Sequence, residues 1–118
     1  MNELKVTAKC PIRTTLEMLG GKWKLLILQQ IGENEVRFGE LKKTIPDISE
    51  KMLVQELKNL VDSELIIRKN YGEVPPKVGY TLTSMGKKAL PLIENLRDFG
   101  LEYMKTLNNE TSCNHKHQ

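Results

Sequence analysis

Ser49, Lys51, Gln55 and Lys58 lie within one short stretch of the chain. Each carries a group suited to the polar edges and phosphates of a nucleic acid. On a helix, 51, 55 and 58 follow one another at intervals of four and three, so their side chains share a face. Gln pairs bidentately with adenine, Lys donates to guanine O6 and N7, and Ser bonds to several base edges. Lys58, one turn further on, is placed for a phosphate. A different chemistry is available at Cys10, which precedes Pro11. Helix N-termini favour the thiolate, the form that oxidants and electrophiles attack, and Lys9 and Arg13 add positive charge nearby. Cys113 belongs to a Cys-x-His-x-His tail with His115 and His117. Those three ligands fall short of the four a structural zinc takes, so no metal is expected. The chain has no nucleophile–base constellation, no phosphate-binding glycine loop and no HExxH pattern. Neither an enzymatic site nor a cofactor is therefore expected.

A polar face of this kind needs a helix whose other side is buried. The segment from Glu50 to Ser63 provides one, with Leu53, Leu57, Leu60 and Val61 as the buried stripe. Ser49 is an N-cap for it, and Ile48 with Leu53 makes a hydrophobic staple. Upstream, residues 38–45 read as a short helix anchored by Leu41 and Ile45, stopped by the turn Pro46-Asp47-Ile48. Short helix, tight turn and longer amphipathic helix make a helix-turn-helix. Strand patterns at 65–71 and 78–82 enclose a loop with two prolines, which reads as a β-hairpin in the position of a wing. Lys69 and Lys77 flank its tip, and Arg37, Lys42 and Lys43 surround the supporting helix. Lys69 and Lys77 are candidates for a phosphate or the minor groove, and Arg37, Lys42 and Lys43 for contacts to the DNA backbone.

The remaining elements frame this unit. Pro11, Ile12, Leu16 and Leu19 start a helix that ends at Gly20-Gly21. A second runs from about Lys22 to Ile31, with Trp23 expected to anchor the core. Val36-Arg37-Phe38 is a short extended piece. Thr83-Ser84 cap a last helix reaching about Leu107, which Pro91 is expected to kink or restart. The fold class is mainly α with a small β-hairpin: a winged helix-turn-helix with a three-helix core and added N- and C-terminal helices. Residues 1–9 read as an arm, 10–107 as the domain and 108–118 as a polar tail without order.

A length of 118 residues allows one core. With 39% hydrophobic and 28% charged residues the chain reads as an ordinary soluble protein. It lacks an apolar run of the roughly 20 residues a membrane span needs, and its first residues do not form a signal peptide, so a cytoplasmic protein is expected. The net charge is only +3, and residues 37–80 hold eight basic against seven acidic side chains. Arrangement, rather than bulk charge, carries the reading. The alternative, a winged-helix protein-interaction module without DNA affinity, calls for apolar groups on the outer face of 50–63. Lys51, Gln55 and Lys58 stand there instead.

Several linked motifs support a family resemblance over roughly residues 9–104. They are Cys10-Pro11, Gly20-Gly21-Lys22-Trp23-Lys24, Arg37-Phe38-Gly39-Glu40-Leu41, Ile45-Pro46-Asp47-Ile48-Ser49-Glu50-Lys51-Met52-Leu53, Glu73 through Thr83, and Phe99-Gly100. The chain resembles the HxlR-type helix-turn-helix regulators, relatives of the MarR-like winged-helix proteins. The resemblance implies a homodimer on a pseudo-symmetric operator in double-stranded DNA, with 50–63 reading the major groove and 66–82 as the wing. It also implies a dimer interface from the first and last helices. The last helix fits this, with Leu92, Leu96, Phe99 and Tyr103 on one apolar stripe and Ile93, Gly100, Met104 and Leu107 on a second. Two stripes call for two partners, one of them this chain's own core and the other a second subunit. Cys10-Pro11 matches the position at which some such regulators sense oxidants or electrophiles. One departure falls in the wing, where Lys77-Val78-Gly79-Tyr80 has Lys and Gly.

Overall fold

Prolines, glycines and capping side chains set the element boundaries. The structure, a computed structural model, describes residues 9–111. Helix α1 (Pro11–Leu19) opens with its proline in the first turn, where the missing N–H costs nothing. It closes at Gly20, whose N–H donates to the Leu16 carbonyl at 2.7 Å. Gly21 then takes φ 96°, a conformation that glycine adopts without strain. Helix α2 (Lys24–Ile31) starts two residues later than the hydrophobic pattern predicts, because Trp23 occupies the N-cap position. The Trp23 ring is half-buried against the core, with the Lys22 ammonium 4.6 Å from its centroid.

Strand β1 (Val36–Arg37) leads directly into α3 (Phe38–Thr44). The Glu40 carboxylate reaches back to accept from the Arg37 N–H at 2.8 Å, closing the first turn of α3. After the turn, Ser49 Oγ accepts from the Met52 N–H at 3.1 Å and starts α4 (Glu50–Asp62). Ile48 and Leu53, on either side of that cap, are both buried. The core joins Ile27, Leu28 and Ile31 of α2 with Leu41 of α3 and Leu53, Leu57 and Leu60 of α4. Full burial of one such side chain contributes about 1.5–3 kcal/mol.

Strands β2 (Ile66–Asn70) and β3 (Val78–Leu82) form the antiparallel hairpin, in register from Ile66 opposite Leu82 to Asn70 opposite Val78. The extended piece at Val36–Arg37 pairs with the outer side of β3, Val36 opposite Tyr80 and Arg37 opposite Gly79. The sheet is therefore three-stranded in the order β1-β3-β2. Tyr80 and Leu82 point from its inner face into the core.

Helix α5 (Ser84–Thr111) is capped by Thr83, whose hydroxyl accepts from the Gly86 N–H at 3.0 Å and donates to the Glu64 carbonyl at 2.7 Å. The expected restart at Pro91 does not occur: the helix is continuous through it. The ring faces solvent while Ala89 and Ile93, on either side, are held in the core. The proline thus removes one backbone hydrogen bond without ending the helix. The helix also runs past Leu107 through Thr111, into residues whose polar composition suggested no order. Cys113, His115 and His117 lie outside the described residues.

The second apolar stripe of α5 needs correction. Ile93 is buried, but Met104 and Leu107 are exposed, and none of residues 94–108 is buried within this chain. The core ends before that part of the helix, so both stripes are left open. Among the described residues, no helix is long and apolar enough to cross a membrane.

Candidate nucleic-acid interface

Helix α4 divides as its sequence predicts. Leu53, Leu57 and Leu60 are at most 2% exposed, whereas Ser49, Lys51, Gln55 and Lys58 all face solvent. Gln55 Nε2 donates to Asn59 Oδ1 at 3.2 Å, and Lys58 Nζ lies 3.1 Å from Asp62 Oδ2. Both contacts run along the exposed helix surface, where ion pairs of this spacing are worth only about 0.3–0.5 kcal/mol. Either side chain can exchange them for another polar partner at small cost.

Of the two acidic residues within this stretch, Glu50 is exposed in the first turn of α4 and Glu56 points elsewhere. Glu56 is turned toward α2, where its Oε1 lies 2.7 Å from Lys24 Nζ with both side chains largely buried. The approach is that of an ion pair rather than a directed hydrogen bond. It keeps this one of the acidic charges of α4 away from the outward face, while Glu50 and Asp62 stay exposed. Sequence reasoning missed this pair because its partners lie on different helices. Met52 and Val54 also stand exposed on α4, so the open side of this helix is not free of the apolar groups that a protein-interaction module calls for; such groups also suit thymine methyls.

The wing carries cations on both faces. Gly79 pairs with Arg37 on one side and Lys69 on the other, which places those two exposed side chains in one row across the outer face. Lys77 is half-exposed and lies 3.4 Å from Glu73 within the loop. Lys42, by contrast, donates to the Pro46 carbonyl at 3.2 Å and braces the turn of the helix-turn-helix; Lys43 beside it is exposed. Arg68, which the sequence did not single out, sits opposite Tyr80 on the inner face. With Val54, Leu57, Lys58, Val61 and Tyr80 it lines a groove of about 230 Å³ between α4 and the wing. Only the strand register turns Arg68 toward α4; in the sequence it is one more polar strand residue.

Two further groups lie away from this face. Cys10 is a free, half-buried thiol at the N-cap of α1. Leu92, Leu96, Phe99 and Tyr103 on α5 are 37%, 47%, 72% and 57% exposed, and Ile12 and Leu16 on α1 are 71% and 63% exposed. Large apolar side chains thus stand in the open on both α1 and α5. Among the described residues no group of three or more His, Cys, Asp or Glu can hold a metal ion.

Known proteins share this arrangement. The family model for HxlR-like helix-turn-helix proteins matches residues 18–108. The chain is 45% identical to the MalR protein of Fusobacterium mortiferum over 101 residues, covering 85% of this chain and 95% of MalR. Among solved structures it resembles a MarR-family protein of Porphyromonas gingivalis W83, with a TM-score of 0.81 and 48% identity over 84% of this chain and 97% of that one. It also resembles the redox regulator HypR in its reduced form, with a TM-score of 0.79 and 31% identity over 85% of this chain and 99% of HypR. The fold is the winged helix-turn-helix of these proteins, and the family is one of regulators rather than enzymes. The chain belongs to the HxlR-like helix-turn-helix family of DNA-binding transcriptional regulators.

Proposed function

We propose that the protein works in the cytoplasm as a homodimer on a pseudo-palindromic operator, with α4 of each subunit in the major groove of one half-site. The observation that carries this reading is the division of α4, its leucines sealed in the core and Lys51 and Gln55 facing outward. A groove about 12 Å wide admits one such helix. The start of α4 adds backbone N–H groups suited to a phosphate. Lys58, Arg37, Lys69 and Lys77 follow the flanking backbone, while Lys42 supports the turn. Two-fold symmetry then sets the half-sites about 34–36 Å apart, or a multiple of that.

Base reading and backbone gripping are separable. Gln55→Ala is expected to lose about 1–3 kcal/mol of discrimination per half-site, while Lys69→Ala weakens operator and random DNA alike. Fluorescence anisotropy against both duplexes checks this. Wild-type behaviour of both variants on both DNAs would refute the assignment.

Oxidant or electrophile control rests on the place of Cys10. The thiol begins α1, and α1 carries the exposed Ile12 and Leu16 of the apolar surface. Chemistry at this thiol bears directly on how two subunits meet, and hence on half-site spacing. HypR, similar in fold and sequence, is a redox regulator. Diamide oxidises two thiols to one disulfide and is itself reduced to the hydrazine; the thiol that joins Cys10 is Cys113 or a cysteine of the second subunit. Diamide is expected to change operator affinity of the wild type by roughly 5–150-fold, the usual size of such coupling, and to leave Cys10→Ser unaffected. Unchanged affinity with Cys10 shown by mass spectrometry to be modified would remove the sensor role.

A further inference from the structure

The loop of the wing extends beyond the reach of strand β1, which meets only Tyr80 and Gly79. Residues 70–76 are exposed, Val74 at 96%. Within the loop, Tyr71 N–H donates to the Lys77 carbonyl at 2.9 Å and Gly72 N–H to Asn70 Oδ1 at 2.9 Å. Those bonds hold the loop to itself and not to the body of the protein. The outermost described hydrogen bond that crosses to the body comes from a side chain. The Tyr71 hydroxyl donates to the Glu35 carboxylate, 2.8 Å from Oε1 and 2.7 Å from Oε2. Glu35 lies in the connection between α2 and β1, just before the residues that pair with β3.

Gly79 makes room for this contact. A Cβ built at Gly79 would fall on the Glu35 carboxylate. Gly79 does not take a left-handed conformation, so the glycine is needed here for space and not for backbone freedom. Carboxylate, phenol and missing side chain fit one another at the junction of three segments. The contact also has an electrostatic signature. The hydrogen bond to Glu35 holds the Tyr71 phenol above its ordinary pKa, aided by slight desolvation and the carboxylate charge and opposed by Arg37.

We propose that Glu35 and Tyr71 form a latch that sets the angle of the wing on the helix-turn-helix, with Gly79 as the seat for the carboxylate. The latch positions the loop so that Lys69 and Lys77 meet the duplex while α4 is seated in its groove. The proposal rests on the reading above that the wing meets DNA. Glu35 and Tyr71 act by holding the wing; neither has to touch DNA.

The test uses the full-length protein with Tyr71→Phe, which removes only the hydroxyl, Gly79→Ala, which displaces the carboxylate, and Glu35→Gln, which keeps an acceptor but loses the charge. Amide hydrogen exchange in residues 71–77 should rise severalfold in Tyr71→Phe and Gly79→Ala, while α2 and α4 stay as protected as in the wild type. Operator affinity should fall by about fivefold in Tyr71→Phe, the scale of one hydrogen bond, and by less in Glu35→Gln. The ultraviolet titration of Tyr71, assigned by difference from Tyr71→Phe, should shift downward in Glu35→Gln. Unchanged exchange in 71–77 in both Tyr71→Phe and Gly79→Ala would overturn the latch. A looser loop with undiminished affinity would do the same if Lys69→Ala still weakens DNA binding. If Lys69→Ala and Lys77→Ala both bind like the wild type, the wing's contact with DNA fails, and the positioning role fails with it.

Discussion

A protein carrying Leu96→Asp and Phe99→Asp is expected to sediment as a monomer and to lose its operator. Both side chains lie on the open part of α5, at 47% and 72% exposure, so neither change empties the core. Circular dichroism and thermal melting of the subunit should therefore stay close to the wild type. In a dimer joined through this face the two aspartates per subunit would have to lose water, at several kcal/mol per buried charge. A single half-site leaves the protein with little more than non-specific affinity, about 10⁻⁴–10⁻⁶ M, against 10⁻⁸–10⁻¹¹ M for specific dimeric recognition. The expected loss thus lies between about a hundredfold and about 10⁷-fold. Sedimentation velocity reads the first effect and anisotropy the second. A double variant that remains dimeric would place the subunit contact elsewhere than on α5.

The second large effect is that of salt. Each phosphate neutralised by a lysine or arginine releases condensed counterions, so log K falls linearly with log salt at about −0.9 per contact. Arg37, Lys58, Lys69 and Lys77 each have an exposed or half-exposed side chain around α4 and the wing. With about 6–10 contacts over two subunits, affinity should drop 10³–10⁵-fold between 50 and 200 mM salt. Lys69→Ala should make the slope shallower by about one per subunit, or two per dimer. The protein's small net charge sharpens the test. With +3 overall, a steep slope must come from where the cations stand. A flat salt profile would exclude backbone contacts by these lysines.

Much of this was legible before any coordinates. Local signals carried it: Ser49 caps α4, Leu53, Leu57 and Leu60 line its inner side, and paired prolines mark the wing loop. Each involves residues close together in the chain, where spacing alone tells which side chains meet. What escaped the sequence depends on residues far apart. The pairing of Glu56 with Lys24, the turn of Arg68 toward α4 and the seat of Glu35 over Gly79 all require the fold first. The expected restart at Pro91 failed for a related reason. A proline disfavours a helix interior locally, but Ala89 and Ile93 are packed on both sides of it, and tertiary packing outweighs one lost hydrogen bond. The open length of α5 was half legible, since two apolar stripes were evident but not that the subunit's own core stops at Ile93.

If the protein reads DNA as proposed, the outer face of α4 enters the groove of the duplex. Amide shift mapping of the isotope-labelled protein tests it most directly, by titration with a duplex from its own upstream region at low salt. The largest shifts are expected at Ser49, Lys51 and Gln55, smaller ones at Lys58 and along the wing, and none at Leu53 or Leu57 beyond those of their neighbours. Saturable binding that leaves residues 49–58 unshifted, with the changes gathered on another surface, would contradict that reading.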